Sequence, residues 1–251
     1  MSWLIPDYKL DSSQLELLKK IEESNDNFLI TGYAGSGKTI LLVYSYIRRK
    51  QEKSNIILVT YTHALIDMIN CGVPEEVYKD IPIVTYFKFQ KMSNYWDIIL
   101  VDEAQDIPKE YIEDIKNKGK RIIIAGDQFQ SIYDNRCDFS TIENIIPIKE
   151  TLNLPTIYRI SRKIRNIAQS FCGDSVGFSS ASMGKLAEYD PRLVYAPNYD
   201  EECKWLIQTS KEYAQQGYQT AILIPNHREI LSFFDKIINI KKLIITKLLT
   251  K

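Results

Sequence analysis

The segment Gly32-Tyr33-Ala34-Gly35-Ser36-Gly37-Lys38-Thr39 constrains the fold more than any other part of the chain. It matches the pattern G-x-x-x-x-G-K-[ST], follows the apolar run Phe28-Leu29-Ile30-Thr31 and opens the amphipathic stretch that continues through Ile40-Leu41-Leu42-Val43. A strand, a glycine-rich loop and a helix in that order turn successive backbone N–H groups inward, and the helix N-terminus adds partial positive charge at the same place. Phosphate oxygens suit that place. Lys38 is expected to span the β- and γ-phosphates of a nucleotide, and Thr39 to offer its hydroxyl to magnesium. A loop that merely joined a strand to a helix would have no need of the Lys-Thr pair at its end.

A strand feeding such a loop belongs in a parallel sheet, and the chain carries the pattern for one. Short β-rich apolar runs at 28–31, 56–60, 81–84, 98–101 and 121–125 alternate with helix candidates at 38–53, 62–71 and 109–118. After Asp127 the pattern changes. Pro147 and Pro155 bracket a segment that reads as a crossing between domains, followed by a basic helix at 161–172 and a Gly/Ser-rich loop at 173–184. A second set of patterns follows at 192–195, 200–216, 219–224 and 226–238, and the last residues, Lys241 to Lys251, do not choose between strand and helix.

Two adjacent acids supply the next signal. The buried run Ile98-Ile99-Leu100-Val101 ends in Asp102-Glu103-Ala104-Gln105-Asp106, and acids at the carboxyl edge of a parallel strand face the crevice where ligands bind. Asp102 is then placed to hold magnesium and Glu103 to deprotonate the water that attacks a γ-phosphate. Asp106, just before Ile107-Pro108, has the position of a helix N-cap.

Composition excludes several classes. With 251 residues, 45% hydrophobic and 25% charged, the chain can bury a core, and nowhere do eighteen apolar residues run together. Its opening residues carry no basic region followed by an apolar run, so a cytoplasmic location without membrane is expected. The cysteines at 71, 137, 172 and 203 have neither zinc-ligand spacing nor a disulfide ladder. Lys plus Arg equals Asp plus Glu at 32 each, so any grip on nucleic acid must come from a local groove and not from bulk charge.

From about Leu10 to Arg165 these motifs, in this order, resemble the UvrD/Rep/PcrA type of superfamily-one helicases. Leu10-Asp11-Ser12-Ser13-Gln14 is similar to the family's Q motif, whose glutamine reads the adenine edge; Asp11 and Ser12 also suit a helix cap. Thr60-Tyr61-Thr62-His63-Ala64 and Thr85-Tyr86-Phe87 resemble segments that contact single-stranded DNA, which implies Thr62, His63 and Thr85 as nucleic-acid contacts. Gly126-Asp127-Gln128-Phe129-Gln130-Ser131-Ile132-Tyr133 looks like the family's GDxxQSIY motif, in which Gln130 touches the γ-phosphate and Tyr133 faces the bound strand. Tyr158-Arg159 is similar to the family's YR motif, which implies a tyrosine stacked on adenine and an arginine reaching the γ-phosphate.

The resemblance implies a P-loop NTPase of α/β class, with a RecA-like parallel sheet covered by helices on both faces over 1–146 and a partial second RecA-like domain over 147–251. It implies ATP and Mg2+ held by Gln14, Gly32, Ala34, Gly35, Ser36, Gly37, Lys38, Thr39, Asp102 and Tyr158, with Glu103, Lys38, Gln130 and Arg159 acting in hydrolysis. The implied function is the motor of a helicase or translocase on single-stranded DNA, with RNA open. A second reading is an ATP-dependent switch with little turnover, completed by a partner chain. The tryptophan that the family places two residues after QSIY is Asn135 here, so Tyr133 or Phe139 is expected to serve the base instead. The family's inserted accessory domains and the late motifs of its second domain are not recognisable before Lys251, from which a truncated chain, a natural fragment or a subunit completed by a partner is expected.

Overall fold

The computed structural model describes residues 4–50, 54–73, 82–131, 137–172, 181–184, 190–218, 220–224 and 229–236. Two compact units divide the chain, Met1–Asp190 and Pro191–Lys251. The first is built on six strands: β1 (Phe28–Gly32), β2 (Ile56–Thr60), β3 (Ile83–Thr85), β4 (Trp96–Val101), β5 (Gly119–Gly126) and β6 (Glu150–Leu154). All pair in parallel, in the order β3-β2-β4-β5-β1-β6.

The period of two explains why nearly every strand residue is apolar. Phe28 and Ile30, Ile56 and Leu58, Ile98 and Leu100, and Ile123 and Ala125 face one core. The alternate residues Leu29, Ile57, Val59, Ile99, Val101, Ile122 and Ile124 face another. A parallel sheet buried on both faces needs apolar side chains at both parities. Helices α1 (Ser12–Glu23), α2 (Lys38–Lys50) and α3 (His63–Gly72) contribute to the first core through Leu18, Ile21, Leu41, Leu42 and Ile69. Helices α4 (Tyr86–Gln90), α5 (Lys109–Lys118) and α6 (Phe139–Ile145) supply the second with Phe89, Ile112, Ile115 and Ile142.

This topology positions the site. After β1 the chain crosses β5 and β4 to reach β2, later returns through β4 and β5, and then adds β6 on the other side of β1. The carboxyl ends of β1, β4 and β5 therefore share one rim beside a reversal of strand order, which is where open α/β sheets bind ligands.

Several expectations change. The segment between Pro147 and Pro155 is not a crossing but edge strand β6, paired with β1 from Phe28↔Glu150 to Gly32↔Leu154, so it belongs to the first sheet. The last residue of the first compact unit is Asp190, well beyond the sequence-based boundary at 146/147. Asp106 lies in a 3-10 turn over Ala104–Asp106, and the cap position of α5 is taken by Pro108, whose extended backbone starts the helix and whose ring offers no acceptor for a side-chain cap. Of the proposed strand at 81–84, residue 81 lies outside the described residues, and so do 51–53 of the first helix candidate.

Beyond β6, Thr156–Ile157 (β7) pairs with Ser182–Met183 (β8), and the basic helix α7 spans Arg162–Cys172 as its sequence suggests. In the second unit, α8 (Tyr199–Gln215) is capped by Asn198, whose side chain accepts from Glu201 N, and another helix covers 229–236. Residues 192–195 and the described part of 219–224 form no strand. Cys71, Cys137 and Cys203 carry free thiols. No helix among the described residues is long and apolar enough to cross a membrane.

Candidate nucleotide site

The loop after β1 adopts backbone that side chains resist. Gly35 has φ +76° and Gly37 φ +99°, both in the left-handed half of conformational space. A Cβ at Gly37 would lie 2.5 Å from Gln14 Nε2, and one at Gly35 would overlap Arg159 Cβ. The glycines thus admit two close neighbours as well as a turn. Gln14 belongs to a capping box at the start of α1, in which Asp11 Oδ1 accepts from Gln14 N at 2.7 Å and Gln14 Oε1 from Asp11 N at 3.1 Å. The Gln14 Nε2 then donates to Ser36 O at 3.0 Å, pinning the helix to the loop. The Asp11–Gln14 segment thus caps a helix, as one reading of it expected, and also touches the loop.

Lys38 is buried and donates from Nζ to the carbonyl oxygens of Gly32 at 2.8 Å and Tyr33 at 3.2 Å. Burial pulls its pKa below the usual lysine value, opposed by the negative field of Asp127, Glu103 and Asp102. Ser36 Oγ is buried and has no hydrogen-bond partner among the described residues.

Thr39 Oγ1 donates to Asp102 Oδ2 at 2.7 Å, bridging the loop to the end of β4. Asp102 is 1% exposed, and burial together with the neighbouring Glu103 pushes its carboxyl up to about 6. A divalent cation fits this pair. Magnesium accepts hard oxygen donors, takes one or two carboxylates and completes its shell with phosphate and water. Among the described residues no group of three His, Cys, Asp or Glu offers a cage made by protein alone.

Glu103 stands at φ 53°, ψ 47°, the one non-glycine residue with positive φ among those described. That conformation costs about 1–2 kcal/mol in a residue with a Cβ. Gln105, which sequence reasoning passed over, fixes it. Buried at 3% exposure, Gln105 donates from Nε2 to Glu103 Oε2 at 2.8 Å and accepts at Oε1 from Asp127 N at 3.1 Å. Asp127 in turn accepts at Oδ2 from Gln130 Nε2 at 2.7 Å. A continuous chain of hydrogen bonds therefore joins the acid after β4 to the amide after β5. A Cβ at Gly126 would lie 2.8 Å from Gln105 Oε1, so the glycine of the GDxxQ segment makes room for this glutamine.

Tyr158 and Arg159 arrive after β7. Tyr158 N donates to Gly35 O at 2.9 Å, and its hydroxyl donates to the Asp11 carboxylate. Gln14, Ala34, Gly35, Gly37, Lys38, Thr39, Glu103, Gln130, Tyr158 and Arg159 line a single cavity of about 600 Å³, with Ile5, Ile40 and Met68 among its apolar walls. That volume falls within the roughly 300–1,000 Å³ of small-molecule sites. Asp102 is placed on the same rim by its bond to Thr39.

Of the nucleic-acid candidates, Thr62, His63 and Thr85 lie outside this cavity. Thr62 caps α3 by accepting from Leu65 N at 3.3 Å, Thr85 caps α4 by accepting from Lys88 N at 3.4 Å, and His63 is exposed at the first position of α3. Tyr133 lies outside the described residues.

A parallel sheet with the phosphate-loop pattern after β1, one strand in from the edge, and two acids after β4, the neighbouring strand but one, define a P-loop NTPase of RecA-like fold. The model of the viral superfamily 1 RNA helicase core domain matches residues 28–224, and the chain belongs to that family. Superfamily one is the level at which the ordered motifs and this match coincide. Among solved structures, one of two coordinating Pif1 helicases at forked double-stranded DNA is 19% identical, over 66% of this chain and 49% of that one, with a TM-score of 0.48. For the Pif1 helicase from Candida albicans the values are 15%, 86%, 56% and 0.49, and for the PRRSV helicase 16%, 74%, 40% and 0.46. The chain thus spans about half the length of the Pif1 structures it matches. No curated protein matches it.

Proposed function

We propose that the chain binds ATP with magnesium in the 600 Å³ cavity and hydrolyses it as the motor part of a helicase or translocase on single-stranded nucleic acid, DNA before RNA. One observation carries this reading: five segments far apart in sequence, around residues 14, 38, 103, 130 and 158, bring complementary groups to one cavity. Lys38 and the loop N–H groups meet the phosphates, and Gln14 and Tyr158 suit the base. Thr39 and Asp102 would hold magnesium, which when bound neutralises phosphate charge. Glu103, held by Gln105, takes the proton of the attacking water. Gln130 reports the γ-phosphate through an uncharged amide, which can lose a bond after hydrolysis without stranding a charge. Arg159, beside Gly35, meets the charge that develops on the transferred group. The residues beyond β6 begin a second RecA-like domain on this reading.

ATP turnover with and without oligothymidylate tests the motor, and strong stimulation is expected. Lys38→Ala should weaken ATP binding by about 10- to 150-fold, the worth of a charge-assisted hydrogen bond; unchanged affinity removes the phosphate-loop assignment. The formal net charge of zero favours a second reading, a nucleotide switch completed by a partner. Bound ATP that persists whether or not the oligonucleotide is present identifies the switch.

A further inference from the structure

The chain enters α1 through a strap, residues 4–9, that three contacts tie to the helices around the nucleotide cavity. Leu4 N donates to Gly72 O at the end of α3 at 3.4 Å, and the Tyr44 hydroxyl donates to Ile5 O at 2.5 Å. The Asp7 carboxylate lies 3.6 Å from the Arg48 guanidinium, which also stands 6.0 Å from the centre of the Tyr44 ring. Tyr44 and Arg48 are neighbours at i and i+4 on α2, and Tyr44 is buried. Because α2 opens at Lys38 and Thr39, one helix carries the end of the phosphate loop at its start and holds the strap further along.

Two residues of the strap line that cavity. Ile5 and Lys9 share it with Ile40 of α2 and Met68 of α3, while Ile5, Ile40 and Met68 also pack against the first core. An apolar wall of this kind suits a flat ring and not a triphosphate, whose charge has Lys38 and the loop N–H groups to meet it. Both polar atoms of the Gln14 amide already have protein partners, Ser36 O for Nε2 and Asp11 N for Oε1, which leaves one N–H and one lone pair for a base. We propose that the strap is one wall of the base subsite: Ile5 packs against the base, and Lys9, whose ammonium has donors and no acceptor, donates to a ring nitrogen or carbonyl oxygen at its edge. Tyr44 and Arg48 are positioning residues that hold both in register with the phosphate loop. The inference rests on the nucleotide reading above and adds to it that the site distinguishes a nucleotide from a bare triphosphate through residues that precede Leu10.

Isothermal titration calorimetry of the whole chain with ATP and with inorganic tripolyphosphate, each with magnesium, tests this. The parent should bind ATP more tightly than tripolyphosphate. Lys9 is exposed, so its replacement does not threaten the fold. Lys9→Ala should weaken ATP binding about 2- to 12-fold, the net worth of one hydrogen bond, and leave tripolyphosphate binding unchanged, because Lys9 meets the base and not the phosphates. Lys9→Arg, which keeps the charge and the donors, should restore most of the loss. Tyr44→Phe removes only the hydroxyl that holds Ile5 and should show the same selective loss; a merely structural role would lower the melting midpoint without separating the two ligands. Lys9→Ala that binds ATP as the parent does, a variant that loses both ligands equally, or a parent that binds both equally tightly overturns the strap as a base wall and leaves the phosphate-loop assignment standing. A parent that binds neither ligand overturns the nucleotide reading and the strap with it.

Discussion

Replacing Asp102 by asparagine is expected to stabilise the protein in the absence of nucleotide while abolishing the magnesium binding proposed for it. In the fold this carboxyl titrates at about 6, against 3.8 for an ordinary aspartate, because burial and Glu103 penalise its charge. The folded state therefore holds the proton more tightly than the unfolded state does. Below about pH 4 both states are protonated and the residue costs nothing. Between pH 4 and 6 the unfolded chain ionises first and the penalty grows, and above pH 6 it is complete. A difference of about two pKa units corresponds to about 3 kcal/mol. Asparagine keeps the shape, accepts from Glu103 N in place of Asp102 Oδ1 and donates to Thr39 Oγ1 in place of accepting from it, but cannot ionise. In a unit of this size, 3 kcal/mol shifts a melting midpoint by about 6–12 °C. Thermal unfolding followed by circular dichroism, with chelator and no nucleotide, should place Asp102→Asn above the parent at pH 7.5 and level with it at pH 4. Adding magnesium and ATP should raise the parent and not the variant. A variant no more stable than the parent at pH 7.5, or a gap that does not close in acid, refutes the argument that an uncompensated buried anion sits there.

Glu103→Gln should retain ATP affinity while turnover falls by about 10²–10⁴, the usual worth of a general base, as read by phosphate release. Gly35→Ala forces a side chain into positive φ and into Arg159, so the melting midpoint should fall by several degrees and ATP affinity with it. Gln105→Ala leaves the buried Asp127 N–H without its acceptor, at about 1–3 kcal/mol, and frees Glu103 to leave its left-handed pose; the kcat for ATP should drop more than KM rises. Equal changes in kcat and KM would assign Gln105 to packing alone.

The parts of this site that were legible in the sequence are those whose chemistry is local. The phosphate loop announces itself because its glycines, lysine and threonine must stand at fixed spacing between a strand and a helix, and five of the strands are visible because burial on both faces makes them unbroken apolar runs. β6 escaped because an edge strand shows only two inward leucines, Leu152 and Leu154, between exposed polar residues and two prolines. Gln105 escaped for a different reason. Its role depends on β4 lying beside β5 in the register Val101↔Ile124, which brings the residues after each strand together. No pattern along one segment encodes a neighbour twenty-two residues away. Thr62 and Thr85 show the reverse case, in which a threonine before a helix has a sufficient local explanation as a cap.

The hydrogen bonds within the site also bear on how the proposed motor would let go. Lys38 is already bonded to Gly32 and Tyr33, Thr39 to Asp102, Gln105 to Glu103, Gln130 to Asp127 and Tyr158 to Asp11. A nucleotide entering this cavity would exchange these bonds for its own, and an exchanged hydrogen bond is worth only about 0.5–1.5 kcal/mol net, or 1.5–3 where a charge takes part. Fixed geometry lowers the ordering cost of binding, while the existing bonds lower its gain. On the proposed reading, loss of the γ-phosphate would leave Lys38 and Gln130 with partners already within reach, so no buried charge would be stranded. Tight binding at each step would stall a translocase, so on the proposed reading partners within the site for these side chains favour turnover.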